Sequence, residues 1–122
     1  MLFRSLRFGV DSLYLSYPGQ LHYEVNERLK TLKAQAQSED INQQLLAQYQ
    51  IGEHLFEVKD KGSSFFNYVL EDNAFRIQLS RPGKKVPMAY VKLSSDYLAH
   101  KLPQDAEKVL SGLLSKIGRA HV

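Results

Sequence analysis

The chain has 122 residues, of which 43% are hydrophobic and 24% charged, with a formal net charge of +3 and no cysteine. That length suits one domain with a real core, and no apolar run approaches the length of a membrane span. The missing cysteine excludes disulfides, thiol catalysis and thiolate metal sites within this segment, and fits a cytoplasmic protein.

The N-terminal stretch MLFRSLRFGV lacks a long apolar core and a small-residue cleavage site, so it is not read as a signal peptide. In VDSLYLSYPG, Leu13, Leu15 and Tyr17 alternate with Ser12, Tyr14 and Ser16, which predicts a strand with one buried face. Pro18 and Gly19 end it by turn chemistry. Leu21, Val25, Leu29, Leu32 and Ala36 then recur at spacings of four and three, the mark of an amphipathic helix. Ser38 reads as a new N-cap, and Ile41, Leu45, Leu46 and Tyr49 predict a second helix that stops at Gly52.

From His54 the period changes to two. HLFEVKD, FFNYVLED, AFRIQLS and VPMAYVKLSS read as four strands separated by polar and turn-forming residues. Pro87 predicts that the last of them starts there or lies at a sheet edge. SSDYLAHK reads as a short helical or irregular connection capped by Ser94 or Ser95. A final helix begins near Gln104, with Pro103 just before its first turn and Ala106, Val109, Leu110, Leu113, Leu114 and Ile117 along its apolar face. The expected architecture is α+β: a mainly antiparallel sheet of about five strands with helices packed on one face. The other face is then free to carry Arg76, Gln78 and Lys92.

Catalytic signals are weak. His22, His54, His100 and His121 show no metal-ligand spacing, so neither a metal site nor a cofactor is expected in this segment. RPGKK lacks the upstream glycine and the following Ser or Thr of a phosphate-binding loop, and reads as a hairpin turn. The acids in Glu39-Asp40 and Glu71-Asp72 suit capping and turns. Tyr14, Tyr17, Tyr68 and Tyr90 lie in strands, where aromatic rings commonly just pack, and no base stands beside any of them to make a nucleophile.

Charge is more informative in its distribution. Residues 1–58 hold 5 basic and 7 acidic side chains, whereas residues 59–101 hold 8 basic and 4 acidic. The central strands therefore carry the basic excess. Arg76, Gln78, Arg81, Lys84, Lys85 and Lys92 are the candidate DNA-binding residues, because Arg and Lys contact phosphates while Gln both donates and accepts hydrogen bonds.

FGVDSLYLSYPG, QIGEHLFEVKDKG, YVLEDNAFRIQLS and PMAYVKLSSDYL together resemble the N-terminal part of phage- and plasmid-encoded replication initiation proteins of the rolling-circle type. The resemblance spans roughly residues 8–100. It implies a parent that nicks one DNA strand with a tyrosine, assisted by a divalent metal on His and carboxylate ligands. None of the quoted stretches carries that metal cluster or matches the nucleophile. On this reading the segment contacts DNA without being catalytically complete. The alternative is a non-enzymatic protein-interaction module or small accessory protein, which pairs through an exposed edge at Val86–Ser94 with a missing C-terminal part or another chain.

The closing IGRAHV resembles a short-read sequencing adapter translated in frame, as ATC GGA AGA GCA CAC GTC. The expectation is one α+β domain over residues 1–116, a truncated N-terminal segment, followed by a non-native tail over 117–122.

Overall fold

The computed structural model describes residues 3–6, 13–83, 85–94, 97–98 and 103–119. The main sheet has seven strands: β1 (Phe3–Leu6), β2 (Leu13–Tyr17), β4 (Gln48–Ile51), β5 (His54–Val58), β6 (Tyr68–Glu71), β7 (Phe75–Leu79) and β8 (Ala89–Leu93). A separate two-residue pair joins β3 (Gln20–Leu21) to β9 (Gly118–Arg119). The helices are α1 (Tyr23–Ala36), α2 (Ile41–Leu45) and α3 (Pro103–Ser115). The sheet order is β1-β2-β8-β7-β6-β5-β4, and every pairing in it is antiparallel. This is the expected α+β class, built on a meander from β4 to β8 that β2 and β1 extend.

Alternation decides the buried face. Leu15, Val91, Ile77, Leu70 and Val58 lie side by side across five strands by register. They form one cluster with Val25, Leu29 and Leu32 of α1 and with Ala106, Leu110, Leu113 and Leu114 of α3. The helices therefore cover one face of the sheet. Leu29 and Ile77 are fully enclosed in that cluster, and truncating either to Ala removes about 2–5 kcal/mol.

Three expectations need correction. The second helix ends at Leu45, and Gln48–Ile51 is a strand. Gly52 is a hairpin residue: Ile51 pairs with His54, which leaves Gly52 and Glu53 as a two-residue loop. Gly52 has φ +60°, as the first central position of a II′ hairpin requires. Second, the sheet has seven strands, because β1 and β4 add one edge each. Third, Val86–Ser94 is not an edge. It contains β8, which sits between β2 and β7 and is bonded on both sides. Pro87 precedes that strand, where its missing N–H costs no ladder bond.

Residues 117–119 take part in the packing. Ile117 is buried and its carbonyl accepts from the His22 amide at 3.0 Å, while Gly118 pairs with Leu21.

Candidate nucleic-acid interface

The open face is read directly from the register. One row runs Tyr14, Lys92, Arg76, Glu71, Glu57, Gln48 across six strands. The next row runs Ser16, Tyr90, Gln78, Val69. Arg76 and Lys92 stand directly opposite each other on β7 and β8. Like charges so placed repel, and a sheet ordinarily avoids them. Arg76 finds partial relief in Glu71, whose carboxylate accepts from its guanidinium at 3.3 Å. Lys92 is exposed beside it. The acidic half of the row, Glu71 opposite Glu57, confines the positive potential to β7, β8 and β2.

Aromatic rings border these cations. Tyr14 and Tyr90 stack with centroids 5.7 Å apart and planes at 19°. Phe66, from the β5–β6 connection, reaches over the same face and stacks on Tyr90 at 6.2 Å and 26°. All three rings are partly exposed, and Gln78 lies directly opposite Tyr90. Phe66 is held by local geometry: its amide donates to Ser63 Oγ at 3.0 Å and its carbonyl accepts from the Ser63 amide at 2.8 Å.

The structure splits the expected cationic set. Arg76, Gln78 and Lys92 share the open face. Arg81 and Lys85 are exposed at the far end of the β7–β8 hairpin. Arg81 lies five residues beyond Arg76, about 17 Å along an extended strand. Its charge also favours the ionised form of Tyr68, whose hydroxyl donates to Asn26 Oδ1 of α1 at 2.7 Å. Lys84 lies outside the described residues, as do His100 and His121. The rings of Tyr14, Phe66 and Tyr90 escaped the sequence reading because strand aromatics usually pack. Their signal was position: Tyr14 and Tyr90 fall on the polar phase of their strands, out of step with Leu15 and Val91.

A shallow depression of about 210 Å³ at one end of the cationic row is lined by Glu71, Asp72, Ala74, Phe75, Arg76, Lys92 and Ser94. At its rim His54 Nδ1 lies 3.1 Å from Asp72 Oδ2, and the imidazole packs against Phe56 and Phe75. Asp72 Oδ1 accepts from the amides of Ala74 and Phe75, both at 2.8 Å, so this carboxylate first of all builds the β6–β7 turn. Among the described residues no group of three or more His, Asp or Glu side chains could hold a metal ion. Among them, no helix is long and apolar enough to cross a membrane.

Comparison with protein-family models, with curated proteins and with solved structures finds no match.

Proposed function

We propose that this chain is a DNA-contacting segment of a replication initiator, and that its open sheet face lies against the phosphate backbone. The observation that carries DNA contact is the direct opposition of Arg76 and Lys92 on an uncovered face, beside Gln78. Two cations held together at a cost to folding are explained by an anionic partner that both contact. The initiator role rests on the resemblance of the four quoted stretches, and it implies a cytoplasmic protein of phage or plasmid origin. The segment supplies contacts with DNA, and nicking chemistry belongs to a part of the parent outside it.

Fluorescence anisotropy with a labelled DNA oligonucleotide across a salt series tests this reading. Binding is expected to weaken steeply with salt, and the slope of log K on log [salt] is expected to fall by about 1–2 in the Arg76→Ala/Lys92→Ala double variant. Absence of binding at low salt, or an unchanged slope in the variant, would sink the reading.

A second reading is favoured by a separate observation. Ile41, Leu45 and Leu46 are 68%, 67% and 61% exposed, next to the edge strand β4. Apolar exposure beside a strand that has no second neighbour among the described residues suits a protein-interaction module. Sedimentation showing a strict monomer, together with no partner in a pull-down, would count against it.

A further inference from the structure

Phosphate contact accounts for the opposed cations of the open face and leaves the acids of the same row unexplained. Glu57 and Glu71 stand directly opposite each other on β5 and β6, as Arg76 and Lys92 do on β7 and β8. Both are like-charge pairs of the kind a sheet ordinarily avoids. Glu57 meets Lys59 and Glu71 meets Arg76, each at 3.3 Å, in solvent-exposed bridges that contribute little. A partner that explains both pairs must carry cations and acids in the reverse order.

The face itself has that order. Across six strands the row runs Tyr14, Lys92, Arg76, then Glu71, Glu57, Gln48, cationic in one half and acidic in the other, with its midpoint between β7 and β6. A half-turn about an axis in the plane of the interface, along the strands and between β6 and β7, lays one copy's face on another's and reverses the row. Arg76 then stands over Glu71 of the second copy, Lys92 over its Glu57 and Tyr14 over its Gln48. Each contact occurs twice, as a two-fold interface requires. Stacked sheets lie ~10 Å apart, a gap that a Lys or Arg and a Glu span end to end. Phe66 stacks on Tyr90 in the neighbouring row, so it stands beside the charged row and not over it. On the opposite side of the charged row Leu55, two residues before Glu57, is 52% exposed. The same half-turn sets Leu55 by Ser94 of the second copy, at the depression beside Arg76 and Lys92.

We infer that two copies of this chain pair open face to open face, the acidic half of each row over the cationic half of the other, and so mask the surface that contacts DNA. The pairing stands on the charge pattern, and its masking role rests on the proposed DNA contact. A net charge of +3 makes two copies repel at a distance, so the attraction is local. Shifting one copy sideways by two strands would set Arg76 over Lys92, so repulsion fixes the alignment.

Sedimentation equilibrium of the full chain at about 0.01 M and about 1 M salt, between which the screening length falls from about 30 to about 3 Å, reads the pairing. A dimer is expected at low salt, with its association constant reduced by about tenfold or more at high salt. Arg76→Glu/Lys92→Glu and Glu57→Lys/Glu71→Lys are each expected to be monomeric alone and to form a heterodimer when mixed. Lys30→Glu/Lys108→Glu makes the same change in net charge as the first of these, on exposed positions of α1 and α3, and is expected to keep the dimer. Carbodiimide coupling of the unaltered protein, in an equal mixture of isotope-labelled and unlabelled chains, is expected to join Lys92 of one copy to Glu57 of the other, and needs no variant to fold. A labelled DNA oligonucleotide added at low salt is expected to dissociate the dimer as it binds. A monomer at low salt overturns the inference, and so does a dimer that survives reversal of Arg76 and Lys92, as one built on α2 and β4 would. A dimer with the expected coupling that binds no DNA upholds the pairing and overturns the DNA reading. A dimer that binds DNA without dissociating overturns the masking role.

Discussion

At Lys92 the proposed DNA contact and the stability of the sheet pull in opposite directions. It faces Arg76 across a strand pair with no acid of its own in that register position. Replacing it with Thr removes a like-charge contact and adds a β-branched residue to a strand, so Lys92→Thr is expected to stabilise the fold by about 0.2–1 kcal/mol in urea denaturation while weakening DNA binding. A residue that served folding alone would show the opposite sign. Tyr17 gives a second residue-scale expectation. Its hydroxyl is buried near Ser111 and Glu107 of α3 and makes no hydrogen bond of standard geometry. Burial pushes its pKa from 10.0 to about 12, with Ser111 favouring the phenolate a little and Glu107 opposing it. The unfolded chain ionises first as pH rises. The stability linked to this proton is therefore intact below pH 10 and is lost progressively between pH 10 and about 12. Burial raises the pKa of Tyr49 and Tyr68 in the same direction. Urea midpoints measured over this range should fall with pH, and Tyr17→Phe should flatten part of the decline, by on the order of 2 kcal/mol. Asn26 accepts from the Tyr68 hydroxyl in a buried site. Asn26→Leu leaves that hydroxyl only the residue-26 carbonyl, at 3.4 Å, and is expected to cost about 1–3 kcal/mol, which the same denaturation measurement reads.

At the scale of elements, the β5–β6 connection couples backbone geometry to the interface. A Cβ at Gly62 would overlap the carbonyl oxygens of Phe66 and Asn67, which belong to the backbone and cannot swing away. Gly62→Ala is expected to displace the segment that carries Phe66, destabilising the fold by about 1–3 kcal/mol in urea denaturation. Alternation and helical spacing made α1, α3 and five of the strands legible in the sequence, since each buries one continuous face. β4 was not legible. Tyr49 stands at helical spacing from Leu45 and Leu46, so the apolar pattern of α2 runs on smoothly into QYQI, and Gly52 suits a helix stop as well as a hairpin. β1 is only four residues long and gives no readable period. Strand alternation alone put Arg76, Gln78 and Lys92 on the open face, but not which of them stand side by side. Register alone puts Arg76 beside Lys92, and register is fixed by pairings between distant segments. The same holds for Tyr14 and Tyr90, which read as packing residues until β2 is laid beside β8.

The whole molecule is a sheet with two unlike faces. One is sealed by α1 and α3 into a single core, and the other is left to carry cations and rings. A competing surface exists on α2, where Ile41, Leu45 and Leu46 are exposed. Both surfaces can be watched at once. The most direct test is a titration of the isotope-labelled full chain with an unlabelled DNA oligonucleotide, following backbone amide chemical shifts residue by residue. The account predicts that the largest changes cluster at Tyr14, Ser16, Phe66, Arg76, Gln78, Tyr90 and Lys92, with α1 and α2 nearly unmoved. Changes centred on α2 and β4, or no change at low salt with excess oligonucleotide, would contradict it.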